Sequence, residues 1–307
     1  MNGHGVKAPR RRVALRSPAK VNLHLEVLFR RPDGYHEIET ILQAVTLFDR
    51  LEVELADVWE GREPRLDLAV EPFGSAPEDA TNLVHRAAAL FCERTGRSGH
   101  LRLHLRKEIP SEAGLGGGSG NAAAALLACD RLFGTRLGVD ELEALGAELG
   151  SDVPFFIRGG TQLARGRGTD LTPLSPVRRC HFLIVKPKLS LSTAAVYDRL
   201  NLGLTTRAPK VSIRNAEALI ARFPAGSWFG TNRLEEVVLP DQPALQRLLL
   251  DLREQASVAL LAGSGSAIFG AFADDRTMAG IEQRLAADGW DVRRARPHPA
   301  GVVFTDE

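Results

Sequence analysis

Residues 13–29 carry a long run of alternating apolar and polar positions. The apolar positions are Val21, Leu23, Leu25, Val27 and Phe29, and the polar positions between them are Lys20, Asn22, His24 and Glu26. Because side chains point to alternate faces of a strand, this run predicts a strand with one apolar face and a row of polar groups on the other. The residues that follow, 31–34 (RPDG), predict a tight turn.

Shorter segments with strand or helix periodicity continue to the C-terminus. In the first half the pattern predicts strands at 51–55, 66–70, 100–106 and 161–164 and helices at 82–95, 122–133 and 139–149. In the second half it predicts strands at 181–185, 256–261, 267–273, 290–296 and 301–305, and helices from about 193 and at 213–222, 241–254 and 275–287. Prolines and paired arginines at 172–180 indicate a boundary. We therefore expect an α+β chain with an N-terminal extension, 1–12, and two domains, 13–175 and 176–307.

A glycine-rich loop at 110–121 (PSEAGLGGGSGN) separates a predicted strand from a predicted helix. Five glycines fall within the seven positions 114–120. Glycine permits positive φ and close approach of the backbone, and a helix N-terminus offers unpaired N–H groups and partial positive charge. This order favours a phosphate site over the alternative, a flexible linker or tight turn. The loop lacks the lysine of a Walker A motif and comes too late in the chain for a Rossmann fingerprint.

Composition narrows the classes of partner. The chain has 307 residues and a net charge of +1, which does not favour a nucleic acid as partner. The one arginine cluster, 10–12, is expected to be a solvated segment leading into the first strand, with a nucleic-acid or targeting role as the alternative. No apolar run reaches the roughly 20 residues of a membrane helix, and the N-terminus lacks a signal sequence. The three cysteines have neither metal nor disulfide spacing. We therefore expect a cytoplasmic protein with small-molecule partners, while its oligomeric state is left open.

Lys20 and Asp152 are candidates for chemistry at the phosphate loop. Taken alone, the lysine reads as an ordinary exposed side chain and the aspartate, in GSDVP at 150–154, as a helix cap. Beside a nucleotide phosphate they suggest a kinase, because an aspartate can take the proton of an acceptor hydroxyl. A nearby lysine would keep that aspartate ionised and stabilise developing negative charge. The interpretation requires both residues to meet in space.

Two other segments allow more than one interpretation. Tyr35 and His36 follow the predicted turn and form either a hairpin surface or a platform for a flat ring. Residues 263–266 (GSGS) form either a hairpin turn or a second set of backbone donors at the same cleft.

These motifs together resemble those of the GHMP kinases, the superfamily of galactokinase, homoserine kinase and mevalonate kinase. The loop and helix start at 110–126 (PSEAGLGGGSGNAAAAL) resemble the superfamily's phosphate-loop motif. Three more segments, at 17–45, 150–168 and 263–270, are similar to one family within it, the 4-diphosphocytidyl-2-C-methyl-D-erythritol kinases of the non-mevalonate isoprenoid pathway. The resemblance runs in matching order from about residue 13 to the C-terminus.

The resemblance implies a two-domain GHMP kinase fold, with an N-terminal domain like ribosomal protein S5 domain 2, a ferredoxin-like C-terminal domain and a cleft between them. It implies that ATP, with Mg²⁺, phosphorylates the 2-hydroxyl of 4-diphosphocytidyl-2-C-methyl-D-erythritol, with Lys20 and Asp152 as the catalytic pair. The substrate-binding residues would be Asn22, near the erythritol, and Tyr35, His36 and Tyr197, around the cytosine. The ATP-binding residues would be Asn82 and Lys107, near the adenine, and Pro110, Ser111, Glu112, Ala113, Gly114, Leu115, Gly116, Gly117, Gly118, Ser119 and Gly120. The magnesium ligands are left open.

The loop departs from the family's usual GGGLGGGSSNAA at two places. Residues 111–113 (SEA) precede Gly114, and Gly120 replaces the second serine, so the backbone donors remain but one hydroxyl is lost. Glu112 either points to solvent or helps to hold the metal, and Ser119 remains as the loop hydroxyl. Two alternatives stay open: a GHMP kinase for homoserine or a mevalonate derivative, and a non-catalytic ligand-binding protein on the same fold.

Overall fold

The computed structural model describes residues 11–60, 63–200, 211–224 and 230–305. The strands are β1 (Arg11–Arg30), β2 (His36–Trp59), β3 (Arg65–Glu71), β4 (Ser98–Arg106), β5 (Thr161–Gly166), β6 (Asp170–Pro173), β7 (His181–Lys186), β8 (Val258–Leu261), β9 (Ile268–Phe272), β10 (Asp291–Ala295) and β11 (Val303–Phe304). The helices are α1 (Leu83–Thr95), α2 (Gly117–Phe133), α3 (Val139–Leu149), α4 (Val153–Arg158), α5 (Thr193–Asp198), α6 (Ile213–Ile220), α7 (Glu235–Val238), α8 (Pro243–Gln255) and α9 (Asp275–Ala287), with a 3₁₀ turn at Leu239–Asp241. The predicted extension, 1–12, lies outside the described residues except for Arg11 and Arg12, which begin β1.

The first sheet is built around two long antiparallel strands, β1 and β2. Its order is β11-β1-β2-β4-β3, and β5 pairs with both β2 and β6. The sequence predicted only the 51–55 part of β2. Residues 39–45 are buried without a break, so they lack the polar–apolar alternation by which a half-exposed strand is recognised. β6 was also missed, because its Pro173 was interpreted as part of a domain boundary.

Helices α1 to α4 belong to the first half of the chain, and α1 and α2 pack on the first sheet. The core there joins the strand residues Leu51, Val53 and Leu103 to the alanine-rich face of α2. The predicted helices at 82–95 and 139–149 are confirmed, with Gly96 in the left-handed conformation ending α1. α2 begins at Gly117 rather than at 122, since its first turn is made of glycines that a propensity argument excludes from a helix.

The second sheet is antiparallel, with the order β10-β7-β9-β8. Its core residues, which include Leu183, Val185 and Ile268, join a cluster with Leu252 of α8 and Met278 of α9. The strands predicted for this half and the helix at 275–287 are present, as is the α+β arrangement of helices over an antiparallel sheet. Among the helices described, none is long and apolar enough to cross a membrane.

The last strand returns to the first sheet. β11 pairs antiparallel with β1, with Leu15 opposite Phe304 and Arg16 opposite Val303. The range predicted for the second domain, 176–307, therefore ends in a strand of the first sheet. The division into domains, and their likeness to ribosomal protein S5 and to ferredoxin, remain predictions.

Candidate active site

A cavity of about 860 Å³ lies where β1, the glycine loop and the segments after β7 and β8 meet. Almost every residue that the sequence analysis proposed for the site lines it: Lys20, Asn22, Tyr35, His36, Asn82, Lys107, Pro110, Ser111, Glu112, Ala113, Gly114, Gly116, Gly117, Gly118, Ser119, Asp152 and Tyr197. Leu115 and Gly120 are the exceptions. Leu115 is buried, and a Cβ at Gly120 would lie 3.2 Å from the Pro18 carbonyl, so both face the protein interior.

Lys20 and Asp152 meet at this cavity. The lysine Nζ lies 3.6 Å from Oδ2 of the aspartate; the lysine side chain is 5% exposed and the aspartate side chain 37%. Nζ also donates a hydrogen bond to Asn22 Oδ1 at 2.8 Å, and the Lys20 amide donates to the carbonyl of Leu115 at 2.9 Å. The second bond ties β1 directly to the glycine loop. A cation and a carboxylate are thus held together beside the predicted phosphate site.

The helix-cap interpretation of Asp152 does not account for its carboxylate. Asp152 occupies the N-cap position of α4, but its side chain makes no capping hydrogen bond. The carboxylate instead faces Lys20, and its negative charge reaches the half-buried Tyr197. Burial, and secondarily the charge of Asp152, raise the pKa of the Tyr197 phenol well above its ordinary value. The Asp152 carboxylate is therefore directed at the cavity and does not cap the N-terminus of α4.

The row of polar residues predicted on β1 is broken by a β-bulge. The pairing register of β1 with β2 shifts between Asn22 and His24. Lys20 and Asn22 consequently line the cavity together with Leu25, whereas His24 and Glu26 do not. His24 Nδ1 instead accepts a hydrogen bond from the Thr231 amide at 3.4 Å. An inserted residue moves all later side chains to the opposite face, which period-two reasoning cannot anticipate.

Two positions of the glycine loop admit only glycine, because the loop packs closely against Lys20 and Phe156 at one and against Ala262 at the other. Gly116 has φ +72°, and a Cβ there would lie 2.6 Å from the Phe156 ring and 3.1 Å from Cγ of Lys20. Gly114 has φ +74°, and its Cβ would lie 1.8 Å from the Ala262 carbonyl. α2 starts directly after Gly116, and the leading N–H groups of a helix have no partner within it. These donors lie at the cavity, so the loop has the geometry of an anion site.

A buried aspartate that sequence reasoning missed joins the two ends of this loop. Asp49 is fully buried, and it accepts hydrogen bonds from the amides of Glu108 and Ile109 at 2.7 and 2.8 Å. Its other oxygen accepts from Asn121 Nδ2 at 2.9 Å and from Lys107 Nζ. Residues 107–109 precede the loop and Asn121 follows it, so one carboxylate fixes both ends. The available signal was a lone acidic residue within the apolar stretch 45–51 (VTLFDRL).

The aromatic residues proposed for the cytosine lie at the other end of the cavity. The rings of His36 and Tyr197 are 5.1 Å apart at 39°, which leaves no room for a third ring between them. Tyr35 is 49% exposed, and the guanidinium of Arg167 lies 5.1 Å from its ring centre. Burial and the nearby charge of Arg30 lower the pKa of His36, against an opposing effect of Asp198. The imidazole is therefore uncharged at neutral pH. Arg167, which also lines the cavity, was not singled out from the sequence.

The glycine–serine loop at 263–266 faces the same cavity as the first loop. Gly263 and Ser264 line it, and the amides of Ser266 and Ala267 donate to the carbonyls of Glu112 and Ala113 at 3.4 and 3.2 Å. The segment connects the antiparallel strands β8 and β9, so the hairpin interpretation is confirmed. Its turn also lies at the cavity, but the amides of Gly265, Ser266 and Ala267 are bonded to protein carbonyls and join the two loops.

The residues at the helix N-terminus fit a Mg²⁺ ion that is held mainly by a nucleotide. Within the ranges that the structure covers, no group of three or more His, Cys, Asp or Glu side chains lies together as a metal cage. Mg²⁺ commonly binds through one or two protein oxygens together with substrate phosphates, however. Glu112 and Ser119 line the cavity and supply oxygens of that kind.

Comparison with known proteins identifies the family. Residues 82–160 match the model of the GHMP kinases N terminal domain. A 4-diphosphocytidyl-2-C-methyl-D-erythritol kinase of Caldicellulosiruptor saccharolyticus is 37% identical over 85% of this chain and 88% of the relative. The same kinase of Syntrophus aciditrophicus is 39% identical over 90% and 96%.

Solved structures agree with this assignment. The crystal structure of a 4-(cytidine 5'-diphospho)-2C-methyl-D-erythritol kinase superposes with a TM-score of 0.73 at 34% identity, over 93% of this chain and 100% of that one. A homoserine kinase from Cytophaga hutchinsonii superposes with a TM-score of 0.68 at 20% identity, over 99% and 100%, and shows the shared fold alone. The chain therefore belongs to the 4-diphosphocytidyl-2-C-methyl-D-erythritol kinase family, within the GHMP kinases.

Proposed function

We propose that this chain transfers a phosphoryl group from ATP to the 2-hydroxyl of 4-diphosphocytidyl-2-C-methyl-D-erythritol. The observation that carries the proposal is the 3.6 Å approach of Lys20 Nζ and Asp152 Oδ2 beside the glycine loop. The same cavity continues from this pair to Tyr35, His36 and Tyr197. One end thus offers donors for phosphate, and the other offers aromatic surface for a base.

Asp152 acts as the general base in this mechanism. It takes the proton of the acceptor hydroxyl while that oxygen forms a bond to the terminal phosphorus of ATP, and the bond from this phosphorus to the bridging oxygen breaks to release ADP. Lys20 attracts the carboxylate and stabilises negative charge on the transferring group during the step. Both effects need the two groups at the separation that the structure has.

Asn22 orients Lys20 and the erythritol part of the substrate. Its Oδ1 accepts from Lys20, its Nδ2 donates to Thr40 Oγ1 at 2.9 Å, and that hydroxyl donates to the His24 carbonyl at 2.6 Å. The chain of bonds fixes which end of the amide faces the lysine. A fixed amide is suited to holding one substrate hydroxyl in a defined place.

ATP is held by the glycine loop and by the walls beside it. The amides at the start of α2 bind its phosphates. Lys107, which the resemblance assigns to the adenine, is paired with Asp49, and its Nζ would be 3.1 Å from a Cβ at Gly117, so it also lies beside the phosphate loop. Asn82 caps α1 and donates to the Pro77 carbonyl at 2.6 Å, so it shapes the wall formed by Ala76 and Pro77. When bound, Mg²⁺ would neutralise phosphate charge, and Glu112 and Ser119, which line the cavity, would supply protein oxygens to it.

Two measurements test the proposal. Purified protein with Mg-ATP should release ADP with the cytidyl substrate and not with homoserine or mevalonate. ADP release with homoserine or mevalonate, and not with the cytidyl substrate, would favour another GHMP kinase. Tyr35→Ala should raise the KM for the cytidyl substrate about tenfold or more, from lost stacking, and leave the KM for ATP unchanged. Tyr35→Phe, which keeps the ring, is the matched control. An effect confined to ATP would contradict the cytosine assignment.

The alternative of a non-catalytic ligand-binding protein has no support in the site. It requires a lost catalytic group, whereas Lys20 and Asp152 are both present and face each other. The cytoplasmic location remains a prediction from composition.

A further inference from the structure

We propose that Asn232 is a positioning residue for Lys20, acting through the backbone of Gly263. Asn232 does not line the cavity, and neither its motif nor its place in the sequence drew attention to it. The inference rests on the proposed function, because it concerns the geometry of the lysine in that reaction.

Asn232 is a buried amide whose hydrogen bonds converge on the second glycine loop. It is 3% exposed, and its Nδ2 donates to the carbonyls of Leu261 and Gly263 at 2.8 and 2.7 Å. Its Oδ1 accepts from the amide of Leu234 at 2.9 Å. Both hydrogens of the side chain are thus committed to the residues that lead into and begin the glycine loop.

The backbone around Asn232 is anchored on β1, the strand that carries Lys20. The Leu25 amide donates to the Thr231 carbonyl at 2.7 Å, and the Arg233 amide donates to the Leu25 carbonyl at 2.8 Å. Asn232 therefore spans a fixed gap, with its backbone on β1 and its side chain on the loop after β8. Near this amide, the Leu261 N–H also donates to Oε1 of Glu235 at 2.9 Å, so the Asn232 side chain is the part of this link that reaches Gly263.

Gly263 is the residue that this amide holds against Lys20. It has φ +54°, and a Cβ there would lie 3.1 Å from Lys20 Nζ and 3.5 Å from Asn22 Oδ1. The bare glycine therefore forms the wall on one side of the ammonium group. Asp152 lies 3.6 Å away at the mouth of the cavity. If the loop moves away from β1, the ammonium gains room to leave the aspartate.

The charge change Asn232→Asp tests this arrangement with little change in size. A carboxylate keeps an acceptor for the Leu234 amide but has no hydrogens for the two carbonyls, so oxygen would face oxygen and push the loop outward. We expect kcat to fall about tenfold or more, because small misplacement of a reacting group is costly. We expect the KM for ATP to stay within about threefold, since Asp49 still holds both ends of the glycine loop that binds ATP.

Gln43→Glu is the matched control. Gln43 is 1% exposed, donates from Nε2 to the carbonyls of Ala44 and His298 at 2.7 and 3.2 Å, and accepts from Thr161 Oγ1 at 2.7 Å. It has the same pattern of bonds as Asn232 but does not line the cavity or touch the second glycine loop. A purely structural role predicts equal loss of thermal stability and equal kcat for both variants once they are folded, and that result would overturn the proposal.

A second pair of variants covers the case in which Asn232→Asp does not fold. Gly263→Ala adds a methyl group against the lysine, whereas Gly289→Ala imposes the same kind of left-handed strain, at φ +84°, with nothing within 4 Å of the new Cβ. Only the first should lower kcat. Equal kcat in the two variants would overturn the proposal.

The rate of acetylation of Lys20 by acetic anhydride, read by mass spectrometry, separates this inference from the proposed function. The rate should rise in Asn232→Asp and Gly263→Ala and stay at the wild-type value in both controls. A wild-type protein that phosphorylates none of the substrates but shows this contrast would refute the proposed function and leave the positioning role standing. If the enzyme is active but Lys20 is acetylated at the same rate in the variants and in the controls, the positioning role would be refuted and the proposed function would stand.

Discussion

At the scale of single residues, the polar groups of the site divide into those that hold the backbone in place and one, Asp152, that does not. Asp49 and Asn232 are buried and use their polar atoms to hold backbone in place. Asp152 sits at a helix start and yet makes no capping bond. A carboxylate that caps no helix and faces the cavity is accessible to an acceptor hydroxyl, as the role proposed for Asp152 requires.

Asp152→Asn should separate catalysis from folding. We expect turnover to fall by about two orders of magnitude or more, through loss of the base and of its charge, with nearly unchanged stability and binding of a non-hydrolysable ATP analogue. Asp288→Asn, the same change at an exposed residue after α9, is the control. Turnover near the wild-type value would remove Asp152 from the catalytic role.

The protonation of His36 predicts how substrate binding depends on pH. Burial, with help from the charge of Arg30, lowers the pKa of His36, so the ring remains neutral until the pH falls below its ordinary range. An uncharged imidazole suits an uncharged base. We expect the KM for the cytidyl substrate to stay level from pH 8 to about pH 6.5 and to rise only below that. In His36→Asn this rise should shrink to what titration of the substrate itself causes; an identical rise in the variant would exclude His36.

At the scale of elements, the glycine loop is shaped by its neighbours more than by its own preferences. The turn before α2, the C-terminal glycine–serine loop and β1 approach one another so closely that side chains are excluded at several positions. Gly114 is the extreme case, since its Cβ position overlaps the Ala262 carbonyl.

Gly114→Ala and Gly134→Ala measure this contact apart from backbone strain. Both glycines have left-handed φ, +74° and +67°, but nothing lies within 4 Å of a Cβ at Gly134. We expect Gly134→Ala to cost about 1 kcal/mol of unfolding free energy from strain alone. Gly114→Ala should cost at least about 2 kcal/mol more from overpacking, and should weaken ATP binding. Denaturant unfolding and ATP titration give both numbers; equal costs would show that the loops separate easily.

At the scale of the whole molecule, the second half of the chain is tied into the first. The loop after β8 bonds to the glycine loop, residues 231–233 bond to β1, and β11 completes the first sheet beside β1. The cavity is therefore walled by elements from both halves, and its geometry depends on their contact.

Phe304→Ala tests the contribution of β11 to the first sheet. Phe304 packs against the first core, and the guanidinium of Arg131 lies 4.3 Å from its ring centre. We expect a loss of about 2 kcal/mol in unfolding free energy, from lost apolar burial and the cation–π contact. Phe73→Ala, at a ring that is 90% exposed, should change it by less than about 0.5 kcal/mol. Equal effects in thermal or denaturant unfolding would show that β11 adds little.

Local features of the chain could be predicted wherever one signal dominates over a few residues. Gly96 ends α1 and the acidic start of 139–149 opens α3, so these helices were placed to within a residue. The glycine loop predicted a phosphate site, and residue chemistry made Lys20 and Asp152 candidates for catalysis beside it. The resemblance to the GHMP kinases agreed with that pair, chose between the two interpretations of Tyr35 and His36, and added Tyr197. The middle of β2 was missed because it is buried on both faces, β6 because Pro173 was interpreted as part of a boundary, and the true start of α2 because its glycines have low helix propensity.

The sequence by itself determined which chemistry the chain can offer: a glycine loop for phosphate, one lysine, one aspartate and a Tyr-His pair. Only the tertiary structure decided that these groups face one cavity, that a bulge turns His24 and Glu26 out of it, and that Asp49 and Asn232 hold its walls. The physical reason is that residue type and short-range periodicity are properties of the local chain. Contacts across tens or hundreds of residues depend instead on how the strands register and how closely the backbones can pack.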